Sequence, residues 1–120
     1  LEKWRNTNRL EVLNGRTLQL LFHLFSFYED FELNSETLNI EKAVRSLDIP
    51  LLVVHGDSDQ AVSDAEGKKL VNWATKGQFE SIPDAGHTFG TSHPWTDNSL
   101  PQQAQAAVDC IKSFINKIID

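Results

Sequence analysis

Two residues with complementary acid–base chemistry stand at matching places in the second half of the sequence. Asp59 follows an apolar, β-rich run at 51–54, and His87 follows a second short run at 78–82. The unbroken hydrophobicity of the first run is typical of a parallel strand that is covered on both faces. Parallel strands lie about 4.8 Å apart, so residues just past adjacent carboxyl ends can meet. This placement predicts a carboxylate that orients the Nδ1 proton of an imidazole and frees Nε2 as a general base.

Each residue also has a plainer interpretation. Aspartate is common in turns, which would account for Asp59 alone, and a loop histidine such as His87 can be satisfied by backbone groups. Asp57 is expected to be a structural turn residue, and His55 to pack or hydrogen-bond at the end of its strand. The occurrence of Asp59 and His87 together, in this order and after neighbouring strands, favours a shared catalytic role.

A metal site is disfavoured by the pattern of the donor residues. By composition, a metal site could be formed by His55, Asp57, Asp59, His87 and His93. Asp57-x-Asp59 resembles the start of a calcium loop, but Ala61 and Val62 stand where the next ligand and a glycine are required. Cys110 is the lone cysteine, which excludes an intrachain disulfide and a thiolate zinc site. We therefore expect neither a metal nor an organic cofactor.

The elements that must position the pair form a βαβα unit, and the predicted fold class is α/β. Ser63-Asp64-Ala65-Glu66 matches a capping box, which predicts a helix from Ser63 to about Thr75 between the two strands. Pro101 opens a last helix with an apolar stripe at helical spacing. The stripe comprises Ala104, Ala107, Val108, Ile111, Phe114, Ile115 and Ile118. Such a unit predicts parallel strands, and two strands alone make a poor sheet, so the pattern requires neighbouring strands.

The first part of the chain is predicted to differ from the βαβα part. Between Leu10 and about Phe31 the apolar residues have helical spacing, with a break near Asn14-Gly15. A second helix is expected from Ile40 to Leu47, ended by the residues before Pro50. We therefore expect a helical, cap-like or linker segment at 1–48 and the βαβα part at 49–120.

The residues around the two strands resemble a known superfamily. The run PLLVVHGDSDQAV at 50–62 is similar to the α/β-hydrolase stretch in which the acid follows the penultimate strand. Ala85-Gly86-His87 resembles the histidine loop after that fold's last strand. The likeness is closest to dienelactone-hydrolase-like and prolyl-oligopeptidase-like esterases and peptidases. Asn14-Gly15-Arg16-Thr17 and the loop from Thr88 to Trp95 are similar to that group too, though less distinctively.

The resemblance implies that the chain is the C-terminal part of an α/β-hydrolase fold. The family's acid stands on the third residue after the glycine, which is Asp59, and the family's histidine matches His87. The family order is serine, acid, histidine, and these two residues keep it. The implied activity is that of a serine hydrolase acting on a small-molecule carboxylic ester, or on a peptide, without a cofactor.

The nucleophile of that family is missing from the pattern. No Gly-x-Ser-x-Gly motif occurs, and Ser58, Ser63 and Ser92 lack its flanking glycines. The chain begins at Leu1 and holds no methionine, so we expect the N-terminal half of the hydrolase domain to lie outside it and the isolated chain to be inactive. Three alternatives stay open: one chain of a split or proteolysed hydrolase, a non-catalytic module that dimerises through its unpaired sheet edge, and a flavodoxin-like domain, although no phosphate-binding glycine loop supports the last.

Charge and hydropathy exclude two classes of partner. The net charge of −6 and the scattering of the eleven lysines and arginines argue against nucleic acid and anionic membrane surfaces. The most apolar run, Leu18 to Phe27, is too short and too interrupted to span a bilayer. The lone thiol favours a reducing, cytoplasmic location, although any signal peptide would precede Leu1.

Overall fold

The computed structural model describes residues 1–15 and 17–119, which divide into a first unit, Leu1–Asn39, and a second unit, Ile40–Asp120. Arg16, part of the family-like segment at 14–17, and Asp120 lie outside the described residues. The first unit contains α1 (Glu2–Thr7), β1 (Leu10–Leu13), β2 (Leu20–His23) and α2 (Phe25–Leu33). The second contains α3 (Ile40–Arg45), β3 (Leu51–Gly56), α4 (Asp64–Trp73), β4 (Gly77–Ile82) and α5 (Gln102–Ile119). The predicted boundary between residues 48 and 49 stays a prediction.

The helix predicted from Leu10 to about Phe31 is wrong over its first half, which forms a β-hairpin. β1 and β2 pair antiparallel, with Leu10 opposite His23 and Leu13 opposite Leu20. The side chain of Asn14 accepts a hydrogen bond from the amide of Thr17 at 3.1 Å, and the amide of Leu18 donates to the Asn14 carbonyl at 2.8 Å. This turn reverses the chain where the apolar spacing predicted only a helix break, because asparagine and glycine favour turns over helix interiors. The prediction is confirmed by α2 from Phe25 onward, whereas residues 20–23 belong to β2.

Aromatic packing centres the first unit on Phe25, which is buried. Trp4 meets the Phe25 ring edge-on with centroids 5.6 Å apart, and its indole N–H donates to the His23 carbonyl at 2.9 Å. The amide of Phe25 donates to the Asn8 side chain at 2.9 Å. These contacts join α1 to the start of α2, while every residue of the two hairpin strands is exposed.

The second unit has the predicted α/β organisation around a small parallel sheet. β3 and β4 pair in register from Leu51 opposite Gly77 to Gly56 opposite Ile82. The helix between them begins as predicted, because the Ser63 hydroxyl accepts from the Ala65 amide at 3.3 Å. Both α4 and α5 contact the two strands. The predicted strands, the connecting helix and the last helix are confirmed, with shifts of one or two residues at their ends.

Gly67 lets α4 lie close to the sheet. A Cβ atom at this position would stand 3.0 Å from the Phe79 ring and 3.1 Å from the Val53 side chain. The glycine lies in a helix interior, where it costs about 1 kcal/mol relative to alanine, so the close approach explains its use. The helix therefore packs closely on the middle of β3 and β4.

The core of the second unit is small and lies at the carboxyl ends of the strands. It consists of Ile82, Ala85 and Ala107, with Val54 and Phe89 packed against it. Along α5, Ala104 and Ala107 are buried, whereas Ile111, Ile115 and Ile118 are between 43% and 48% exposed. The predicted stripe therefore reaches the core only in its first two turns.

Among the helices in the described part of the chain, none has the length and apolar character needed to cross a membrane.

Candidate acid–histidine site

The loops that follow β3 and β4 are bonded to each other directly. The amide of Asp57 donates to the Ile82 carbonyl at 3.1 Å, and the amide of Ser58 donates to the Ala85 carbonyl at 3.0 Å. The hydrogen-bonded ladder of the sheet thus continues past the last strand residues. As a result, the residues that follow Gly56 lie beside the residues that follow Ile82.

Asp57 joins these two loops through its side chain. Its Oδ1 accepts from the Asp84 amide at 2.8 Å, across 27 positions in sequence, and from the Ser58 hydroxyl at 3.0 Å. Asp84 has a φ of 56°, a left-handed conformation that aspartate tolerates better than most residues. Asp57 therefore serves the loop geometry, which agrees with its expected structural role.

Replacing Asp57 with alanine is expected to destabilise the chain by about 1 kcal/mol, because the Asp84 amide loses its acceptor. Asp57→Asn should cost less, since its amide oxygen can accept the same bond. Urea unfolding of the three proteins measures the difference. Equal stability of the alanine variant and the parent would show that the inter-loop bond contributes nothing.

Asp59 is held rigidly by backbone amides at the start of the loop toward α4. Its Oδ1 accepts from the amide of Ala61 at 2.8 Å and from the amide of Val62 at 3.1 Å. The side chain is 6% exposed. With Oδ1 occupied in this way, the second oxygen, Oδ2, points to the loop after β4.

The structure brings His87 to that second oxygen. Nδ1 of His87 lies 3.0 Å from Oδ2 of Asp59. A carboxylate only accepts, so Nδ1 carries the proton and donates it, and in the neutral ring Nε2 is left as a free base. The His87 side chain is 61% exposed, and Nε2 has no hydrogen-bond partner among the described residues. The arrangement can take a proton at Nε2 while Asp59 stabilises the resulting cation.

A small cavity of about 180 Å³ adjoins the pair. Its lining residues are Val54, His55, Gly56, Asp59, Val62, His87 and Phe89. The valine and phenylalanine side chains make one wall apolar, while Asp59 and the two imidazoles supply the polar groups. Two larger cavities, of about 460 and 560 Å³, lie in the first unit, and neither is lined by a histidine.

The hydrogen bond from His87 lowers the pKa of Asp59 from its ordinary value of 3.8 to about 2, with help from the Ala61 and Val62 amides and against the effect of burial. Because the folded pKa is the lower one, Asp59 stabilises the fold fully above pH about 4, and this contribution disappears as the pH falls through about 2.

The prediction is tested by carboxyl ¹³C NMR of the chain between pH 1 and 6. Asp59 should titrate near pH 2, and His87→Ala should move its midpoint back toward 3.8. His93→Ala replaces an exposed histidine outside the cavity and should leave the midpoint in place. An unchanged Asp59 midpoint in the His87 variant would mean that the two side chains do not interact.

The serines and the metal donors have other environments. Ser58 donates to Asp57, and Ser63 caps α4, so both hydroxyls are engaged in local structure. Within residues 1–15 and 17–119, no group of three or more histidine, cysteine, aspartate or glutamate side chains is arranged to hold a metal ion. Of the five donors considered from the sequence, His55, Asp59 and His87 line the cavity, whereas Asp57 and His93 are absent from its lining.

The prediction that His55 packs or hydrogen-bonds at the end of its strand is confirmed, because the residue is buried and its Nδ1 lies 2.8 Å from the Gly56 carbonyl. What the sequence did not predict is that His55 also lines the cavity, with its Nε2 3.7 Å from Oδ2 of Asp59. The i,i+4 spacing of the two residues was the available signal. In a helix, i,i+4 spacing places two side chains on the same face. No such rule applies where a strand continues into a turn.

No protein-family model matches the chain, and no curated protein matches it significantly.

Proposed function

We propose that this chain is the C-terminal part of a serine hydrolase with the α/β-hydrolase fold, acting on carboxylic esters or, alternatively, on peptides. The observation that carries the proposal is the 3.0 Å contact between Nδ1 of His87 and Oδ2 of Asp59 at the ends of two parallel strands. The family-like residues at 50–62 and 85–87 support it, because they contain both members of the pair in the family's order.

In the proposed reaction each residue has one task. Nε2 of His87 takes the proton of a serine hydroxyl as that oxygen attacks the substrate carbonyl, and later returns it to the leaving group. Asp59 holds the Nδ1 proton in place and stabilises the imidazolium that forms. Water then hydrolyses the acyl-serine by the same route. The serine and the amides that stabilise the oxyanion would come from a segment outside this chain.

The environments of Ser58 and Ser63 support an external nucleophile. A nucleophilic serine needs a strained turn between a strand and a helix, flanked by glycines. Ser63 instead caps α4 from an extended conformation, and Ser58 lies in the loop after β3 bonded to Asp57. Neither hydroxyl contacts Nε2 of His87 in the structure.

Hydrolysis of p-nitrophenyl acetate tests the proposal, measured on this chain and on the protein that includes the upstream reading frame, each with and without His87→Ala. We expect activity only in the longer protein, and we expect the substitution to remove it. His93→Ala is the matched histidine control and should retain activity. An inactive longer protein, or activity that survives in the His87 variant, would count against a hydrolase.

A second candidate function is a non-catalytic module that binds a second copy of itself. The exposed apolar residues on α5 favour it, among them Ile111, Ile115 and Ile118. The sheet favours it as well, because β3 pairs with only one described strand. Burying such a stripe would stabilise a dimer through the hydrophobic effect.

If this second function holds, sedimentation velocity of the chain at 100 μM should show a dimer. Ile115→Lys should then weaken dimerisation at least tenfold, because a charge would enter an apolar contact. Lys112→Glu changes an exposed residue of the same helix and serves as the charge control. A monomer at this concentration would exclude the self-association function.

A further inference from the structure

His55 is held in one orientation at the end of β3. Nδ1 of its ring lies 2.8 Å from the Gly56 carbonyl, and the ring stacks on Phe79 with centroids 6.3 Å apart. A carbonyl only accepts, so Nδ1 donates the proton. The opposite nitrogen, Nε2, is thereby directed away from the strand and toward Asp59.

That nitrogen is buried and has no hydrogen-bond partner within residues 1–15 and 17–119. It lies 3.7 Å from Oδ2 of Asp59, the same oxygen that accepts from His87. A buried polar atom without a partner costs free energy and calls for an explanation in a native structure. The neighbouring carboxylate oxygen supplies one, since a small movement of either side chain would convert the contact into a charge-assisted hydrogen bond when Nε2 is protonated.

The other groups near His55 do not offer an equivalent partner. Asp64, at the start of α4, interacts with His55 electrostatically, but its carboxylate is bonded to Lys68 at 2.6 Å. Phe79 presents only its ring face. Oδ1 of Asp59 is occupied by two backbone amides. Oδ2 of Asp59 is therefore the acceptor that remains for Nε2.

We propose that His55 is a positioning residue for Asp59, whose Nε2 faces Oδ2 from the buried side and keeps that carboxylate ionised and directed at His87. The inference rests on the proposed function, since the Asp59–His87 pair is what His55 would serve. Two imidazoles thus share one carboxylate oxygen, one buried and structural, the other exposed and available for proton transfer.

Two substitutions distinguish the contributions of the two ring nitrogens of His55. His55→Asn can keep the bond from the Nδ1 position to the Gly56 carbonyl but removes the group that faces Asp59. His55→Gln places an amide at the Nε2 position and can still donate to Oδ2. The readout is the titration midpoint of the Asp59 carboxyl by ¹³C NMR in the chain, with the amide spectrum of each variant as the check that it is folded.

The expected result is a midpoint raised by roughly one pH unit in His55→Asn, as for the loss of a hydrogen-bond donor to a carboxylate, and a midpoint close to the parent's in His55→Gln, which keeps a donor at that place. A purely structural histidine would change the stability of the variants without moving the Asp59 midpoint. Midpoints equal to the parent's in both folded variants would overturn the proposal, as would equal shifts in both.

The same titration keeps this inference distinct from the proposed function. Failure of His87→Ala to raise the Asp59 midpoint would remove the acid–histidine pair and with it the hydrolase. A raised midpoint in His87→Ala, combined with unchanged midpoints in both His55 variants, would leave the pair intact and reject only the role of His55. If His55→Asn does not fold, His55→Phe preserves the stacking on Phe79 and replaces it in the comparison.

Discussion

Replacing Asp59 with asparagine should lower kcat of the proposed hydrolase by about 10⁴-fold, the size of effect that the wrong histidine tautomer produces in a catalytic triad. The reason lies in the amides of Ala61 and Val62, which both donate to Oδ1. An asparagine at this position must keep its oxygen there, so its NH₂ group faces His87. The imidazole then accepts at Nδ1 and carries its proton on Nε2, where it cannot take one from serine.

Steady-state kinetics of p-nitrophenyl acetate hydrolysis by the longer protein measure this loss. Asp84→Asn makes the same chemical change on an exposed carboxylate of the neighbouring loop and should leave kcat within about twofold. A loss of less than tenfold in the Asp59 variant would show that the orientation of His87 does not depend on this carboxylate. KM should change little, because both carboxylate oxygens of Asp59 are occupied, Oδ1 by two backbone amides and Oδ2 by His87.

Gly56→Ala should destabilise the chain by about 3 kcal/mol or more, at or beyond the upper end of ordinary overpacking. A Cβ at this position would lie 2.1 Å from the Ala85 carbonyl oxygen and 2.7 Å from its carbon. The obstructing atoms are backbone, so no side-chain rotation relieves the contact. The loop after β4 would have to move away, which would break the bond from the Ser58 amide and separate Asp59 from His87.

Gly86→Ala is the matched control, since no atom lies within 4 Å of a Cβ placed there. It should change the free energy of unfolding by less than about 1 kcal/mol, and in the stabilising direction if the unfolded chain loses freedom. Thermal and urea unfolding of the two variants make the comparison. Similar stability of the two variants would mean that the loops can separate at little cost in free energy. The close approach of Gly56 to Ala85 would then not be what keeps Asp59 beside His87.

Local sequence determined the elements of the second unit and the order of the candidate pair. The β-rich apolar run Leu51 to Val54 predicts a strand, although the structure leaves these four residues half-buried rather than covered on both faces. Ser63 predicts a helix start because the cap is satisfied within one turn. Both predictions depend on interactions between neighbouring residues, so they can be made without knowledge of the fold. The hairpin at 10–23 was not predicted. There the turn residues at Asn14 favour a chain reversal while the apolar spacing favours a helix, and the spacing alone does not show which of the two structures is more stable.

Tertiary structure alone decided what these elements do together. The sequence predicted that Asp59 and His87 would be near each other, but the distance of 3.0 Å depends on Asp57 bridging two loops and on Gly56 admitting a carbonyl. The position of His55 behind the same carboxylate could not be predicted, since no local rule relates a strand end to the turn after it. Periodicity marks the apolar stripe on α5, but only packing shows that its second half is exposed. Propensity acts over a few residues, whereas the contacts between the two loops join residues 27 and 28 positions apart, whose meeting is set by the packing of the whole unit.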